Sequence, residues 1–212
     1  MLKIPENGDR LEGCAAALGL EDELCDVTQK LIHSRQNISP RCLTAPAPSA
    51  EQLLQLFDAA AAAPDHGLLN PWRFVIVPLD KRLLLAEVFA LALIDRDPDA
   101  TLEQIATARE KAHRAPLLFL TVARLGSAEP AIQPLERMVS LGCAIQNMLL
   151  LAHAMGFGAG LTSGQALNSP LMRNLFALTE GEQPVCFVNM GTVSKRKPKK
   201  TRPRASEFTS SL

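Results

Sequence analysis

Three short apolar runs most constrain what this chain can fold into. RFVIVPL from Arg73, LLFLTVARL from Leu117 to Leu125, and PVCFVNMGTV from Pro184 to Val193 are rich in branched and aromatic residues. Each is short enough to be a strand, and Pro78 ends the first. The segments between them carry helical spacing. Strands separated by helices must gather into one sheet and be covered by those helices, which predicts a layered α/β or α+β domain. RFVIVPL, continuously apolar after its arginine, is expected to be buried on both faces.

The helices are equally legible. Ser49, after Pro46 and Pro48, is a candidate N-cap. Leu53, Leu54, Phe57, Ala60 and Ala61 then recur at helical spacing before Pro64, predicting a helix over 50–63. Two more patterns, Lys81 to Ile94 and Thr101 to His113, are separated by the turn DRDPDA and closed by Pro116. The clearest helix runs from Leu135 to Met155, where Met138, Leu141, Ile145, Met148, Ala152 and Met155 alternate steps of three and four before Gly156. Such a stripe reads as the central core helix. Gly142, Cys143 and Ala144 would also let another helix approach closely, so a dimer seam is an alternative.

Length and composition exclude several classes. At 212 residues, the chain fits one domain with an appended segment. Residues 1–30 read as that N-terminal extension, with one or two helices. Apolar residues make up 47% and charged residues 21%, a globular balance. No apolar run approaches the roughly 18 residues of a membrane span. The first residues lack the apolar core of a secretory signal, so a cytoplasmic address is the default expectation. Five cysteines without a CxxC pair read as free thiols, and no ligand spacing supports a metal. The formal net charge is zero, yet residues 1–194 carry 15 basic against 21 acidic residues while 195–204 carry seven basic ones. That basic run has no interleaved aromatics, and a solvated tail is a better reading of it than a nucleic-acid patch.

Four segments carry polar chemistry. PDHGLLNPWRF, from Pro64, places His66 in a loop between a helix and a strand, where polar groups can face a ligand. A lone loop histidine more commonly caps nearby backbone, and Trp72 alone reads as a core anchor. GFGAGLTSG, from Gly156, is neither a dinucleotide fingerprint nor a Walker loop nor a nucleophile elbow. It reads as a helix stop, a turn and a short extended piece, or as a backbone wall that a flat ligand can approach. HSRQNISPR offers Arg35 with neighbouring amides, a set suited to phosphate and carbonyl oxygens. KRKPKKTRPR is the fourth. No arrangement of side chains suggests a covalent nucleophile.

In order, these segments resemble the nitroreductase family of FMN-dependent oxidoreductases, in its compact single-domain NAD(P)H nitroreductase branch, from about Leu31 to Arg204. The resemblance implies an α+β fold with a central, mainly antiparallel sheet flanked by helices, a domain over 31–212 ending in the basic segment 195–204, and a homodimer with two FMN sites at its interface. It places Arg35, Gln36 and Asn37 on the family's RRS motif, which holds the flavin phosphate and ring. Only the first arginine is retained. His66 matches a flavin-contacting histidine, while Leu68 and Ala62 stand where basic residues often occur. Leu161, Thr162 and Ser163 match the segment along the ring. Lys200 and Arg202 match a Lys-x-Arg pair on the phosphate. Leu151, Ala152, His153, Ala154, Met155 and Gly156 match a proposed NAD(P)-binding stretch. The implied activity passes hydride from NAD(P)H through FMN to a nitroaromatic, quinone or similar small acceptor, with chemistry supplied by the flavin. The charges lost at Gln36, Leu68 and Ala62 leave a non-catalytic flavin carrier, sensor or scaffold as the alternative.

Overall fold

The structure is a computed structural model and describes residues 9–126, 131–198 and 201–212. The chain divides into two compact units, Met1–Arg35 and Gln36–Leu212. The first contains α1, a single 26-residue helix over Asp9–Ser34, which runs beyond the expected extension. Lys30 and Asp26 pair across one turn of it, and Leu20, Leu24, Val27 and Ile32 are exposed.

The second unit contains α2 (Ala50–Ala61), α3 (Arg82–Arg96), α4 (Leu102–Glu110), α5 (Pro134–Ala154) and α6 (Pro170–Leu175). Its strands are β1 (Leu43–Thr44), β2 (Trp72–Ile76), β3 (Leu117–Arg124), β4 (Gly158–Thr162) and β5 (Glu182–Val193). All strand pairings are antiparallel: β2 with β3, β3 with β5, and both β1 and β4 with β5. The expected mainly antiparallel sheet flanked by helices is therefore present.

Alternation along the central strands divides the core between the two faces of the sheet. Leu117, Phe119 and Ala123 of β3 and Cys186, Val188 and Met190 of β5 join α2 and α5 in one cluster. Leu118, Leu120, Val122 and Phe187 join α3 and α6 in the other. β3 is buried along its whole length except Arg124. The expectation for β2 is corrected: Trp72 is buried, the next three residues are half-buried and Ile76 is exposed. Among the described residues β2 pairs with β3 alone and so lies at a sheet edge, where each face is only partly covered.

Local chemistry sets the helix boundaries. The Ser49 hydroxyl accepts from the Gln52 N–H while the Gln52 side chain accepts from the Ser49 N–H, a capping box that starts α2. Thr101 and Gln104 do the same for α4. At the end of α5, Gly156 has φ +87°, and the N–H groups of Gly156 and Phe157 reach back to the carbonyls of His153 and Ala152. A left-handed residue with this bond pair ends the helix and turns the chain into β4.

Candidate functional site

β4 is positioned by an unusually close approach. Asn37 forms a parallel bridge with Ala159, the Ile38 N–H donates to the Ala159 carbonyl at 2.9 Å, and Asn37 Oδ1 accepts from the Leu161 N–H at 3.0 Å. A Cβ at Gly160 would collide with the Ile38 carbonyl oxygen, so only glycine allows this contact. On the other edge of β4, buried Asn189 of β5 donates to the Gly160 carbonyl at 3.3 Å and to the Thr162 hydroxyl at 3.0 Å. Asn37 and Asn189 thus hold β4 from two sides and deliver the Thr162–Ser163–Gly164 turn in a fixed position.

That turn forms one wall of a cleft of about 850 Å³. The floor includes Leu118 and Phe187 of the sheet, with Phe89 and Leu93 of α3 beside them, and Phe89 meets Phe187 edge to face at 5.7 Å. The α3–α4 hairpin and the turn leading into β3 also line the cleft, and they contribute Arg96, Lys111 and Arg114. The volume falls within the roughly 300–1,000 Å³ usual for small-molecule sites, and the lining combines an apolar floor with a few polar groups.

The electrostatics are asymmetric. Burial pushes the Lys111 ammonium below its ordinary range, and the charges of Arg114 and Arg96 push it further. Burial also lowers Arg114, as does nearby Arg41, against a smaller opposing effect of Glu110. Arg114 Nε is buried and, among the described residues, has no hydrogen-bond partner. None of the three cleft cations was singled out from the sequence. They sit on or beside helices where a lone cation ordinarily reads as a solvated charge, and only their convergence distinguishes them.

Of the residues expected from sequence, Thr162 and Ser163 line this cleft. Leu161 precedes them with its N–H bound to Asn37. Gln36 and Asn37 open the second unit; Arg35 closes the first. His66 does not line the cleft. Its Nδ1 lies 3.0 Å from Glu136 Oε2 at the start of α5, and this contact holds the Glu136 carboxyl below the usual range. Leu151 to Ala154 form the end of α5, Met155 caps it and Gly156 makes the turn, and Ala152 is fully buried in the core. Arg202 is exposed, and Lys200 lies outside the described residues.

Among the described residues, no group of three His, Cys, Asp or Glu side chains could hold a metal ion. Nor is any described helix long and apolar enough to cross a membrane.

Comparison with known proteins gives this geometry a family. The model for the nitroreductase family matches residues 34–192. The chain is 34% identical over 164 residues to a Haemophilus influenzae protein named "Putative NAD(P)H nitroreductase", covering 77% of this chain and 88% of that protein. It is 33% identical over 167 residues to Escherichia coli YdjA, which bears the same description, covering 79% and 88%. Among solved structures, a nitroreductase-like protein from Bacillus cereus superposes with TM-score 0.73 at 22% identity, over 87% of this chain and 95% of that one. A nitroreductase with bound FMN from Desulfitobacterium hafniense superposes with TM-score 0.64 at 22% identity, over 87% and 98%. With three quarters of its length under one family model, and with a relative 34% identical over 77% of its length, the chain belongs to the nitroreductase family.

Proposed function

We propose that the protein is an FMN-dependent oxidoreductase passing hydride from NAD(P)H to a small electron-poor acceptor, such as a nitroaromatic or a quinone. The observation that carries this reading is the cleft beside Thr162 and Ser163 in a chain of this family. Its apolar floor and hydrogen-bonding rim suit a flat heteroaromatic ring. The FMN of the Desulfitobacterium neighbour and the names of the bacterial relatives point the same way.

FMN, when bound, supplies the two-electron chemistry that these side chains lack. The chain's own residues bind, orient and exclude water. Leu161, Thr162 and Ser163 are assigned to the ring, with Asn37 and Asn189 as positioning residues that fix β4. Arg35, Gln36, Lys200 and Arg202 are assigned to the phosphate end. Phe89, Leu93 and Phe187 keep one side of the cleft dry, which strengthens the polar contacts on the other. Leu151 and the residues from His153 to Gly156 are assigned to uncharged parts of the nicotinamide nucleotide, with Ala152 packed in the core beneath them, since the C-terminal end of a helix carries partial negative charge and repels phosphate.

The same reading makes the protein a homodimer. Leu135 and Val139 on the outer face of α5 are exposed, and a Cβ at Gly142, one turn further, would meet nothing within 4 Å. A second copy packed on this stripe would cover it. His66, held by Glu136 at the start of α5, is assigned to the partner's cleft.

Protein incubated with FMN and then desalted should retain the flavin and oxidise NAD(P)H in the presence of a nitroaromatic. A preparation that retains no flavin overturns the reading. The second reading, a non-catalytic flavin carrier, is favoured by the missing charges at Gln36, Leu68 and Ala62. It predicts retained flavin that NAD(P)H does not bleach, and rapid bleaching rejects it.

A further inference from the structure

The assignments above leave unused the three cations on the hairpin side of the cleft. Arg96 ends α3, Lys111 follows α4, and Arg114 stands just ahead of β3. Among the described residues, neither Arg96 nor Lys111 has an ion-pair partner. Arg114 meets only Glu110, at 4.0 Å and with that carboxylate largely exposed, and makes a long 3.4 Å bond to the Thr107 carbonyl. Its Nε is buried with no acceptor among the described residues. Asp97 and Glu103 also line the cleft, but neither comes within ion-pair distance of these cations.

Like charges converging on a partly buried wall repel one another, and their electrostatic cost is relieved when an anion enters between them. Arg114 offers a planar fork and Lys111 a mobile point charge, a pair of donors suited to phosphate and carboxylate oxygens. The apolar floor beside them, with Phe89 against Phe187, suits a ring attached to that anion. This charge comes from a different part of the chain than the positions of Gln36, Leu68 and Ala62, where it is lacking.

Building on the reading of the cleft as a flavin site, we propose that Arg96, Lys111 and Arg114 form an oxyanion subsite that selects occupants bearing a phosphate or carboxylate on a flat aromatic framework. Two sources carry that chemistry: the terminal phosphate of the mononucleotide, and a carboxylate on an aromatic electron acceptor. In either case the subsite discriminates by charge, whereas Thr162, Ser163 and Asn189 elsewhere in the lining offer only neutral groups.

The test measures binding, independent of turnover, with two pairs of probes that differ in the anion: FMN against riboflavin, and 4-nitrobenzoate against 4-nitrobenzyl alcohol. Calorimetric titrations would compare the wild-type protein, the Arg114→Gln variant and the Arg96→Gln/Lys111→Gln double variant. Arg96 and Lys111 are more exposed than Arg114, so the double variant carries the test if Arg114→Gln fails to fold. The subsite predicts that the anionic member of one pair weakens by about tenfold or more while its neutral counterpart stays within about twofold, as loss of a charge-assisted bond requires. Selective loss of FMN identifies the cofactor phosphate. Selective loss of 4-nitrobenzoate identifies the acceptor carboxylate. Equal losses within both pairs, or no loss in either, overturn the proposal. A wild-type protein that binds neither flavin overturns the cofactor reading alone, because the nitrobenzoate pair still reports on the subsite.

Discussion

Glu182 shows how one side chain can fasten several parts of this fold. Arg73 of β2 donates to both of its carboxylate oxygens, at 2.9 and 2.8 Å, the Thr179 N–H donates at 3.1 Å, and Arg124 of β3 stands 3.7 Å away. The Arg73 bonds hold this carboxyl below its ordinary pKa, outweighing burial, which acts in the opposite direction. A carboxylate whose folded pKa is depressed contributes stability that is present above the unfolded value of about 4.3 and is lost as pH falls through the lower folded value. Glu182→Gln should therefore cost about 2 kcal/mol at neutral pH in urea unfolding, and the difference from wild type should shrink in acid. Gly160→Ala presses a methyl group against the Ile38 carbonyl. It should lower the melting temperature and weaken FMN retention together, because the displaced strand carries the Thr162 turn. Contacts of this kind were not legible in the sequence, since Arg73 and Glu182 are 109 positions apart and nothing local to either one marks the other. The same holds for Asn189 and for the convergence of Arg96, Lys111 and Arg114. The Ser49 cap, the Gly156 stop and the Thr162–Ser163 segment were legible because neighbouring residues or an ordered family motif specify them.

Among the elements, α2 owes its start to the capping box, and Ser49→Ala should cost about 1 kcal/mol by chemical unfolding, since it leaves the Gln52 N–H without its acceptor. The expected helices and strands were recovered close to their predicted bounds, because each is set by local periodicity and punctuation. β2 was misjudged for a different reason. An apolar run records that a strand is buried, but not how many neighbours it has, and among the described residues β2 has one. β4 was anticipated only as a short extended piece after a turn. Its residues GAGLT lack strand-forming side chains except near the end, and its place in the sheet comes from pairing with β5 and from Asn37. Among the described residues the first unit contributes no strand, and the sheet and both core clusters lie within the second. Removing residues 2–30 should therefore leave a cooperative thermal transition and undiminished FMN binding, measured by circular dichroism and flavin fluorescence.

For the whole molecule, the neutral sum of charges conceals a useful distribution. The basic run after Val193 is exposed where described, and a second concentration of positive charge lies in the cleft wall, where no local pattern of residues marks it. The proposed dimer seam lies on the outer face of α5, where Leu135 and Val139 are exposed. Val139→Glu should shift the protein toward monomer in analytical ultracentrifugation and weaken FMN retention, because a charge on that stripe opposes its burial against a second copy. The central claim is that the cleft beside Thr162 and Ser163 holds a flavin that NAD(P)H can reduce. The most direct measurement is the anaerobic absorbance spectrum of FMN-loaded, desalted protein before and after addition of NADH or NADPH. The account predicts a retained flavin band that bleaches with at least one of the two nucleotides; a protein that keeps no flavin, or whose flavin neither nucleotide bleaches, would contradict it.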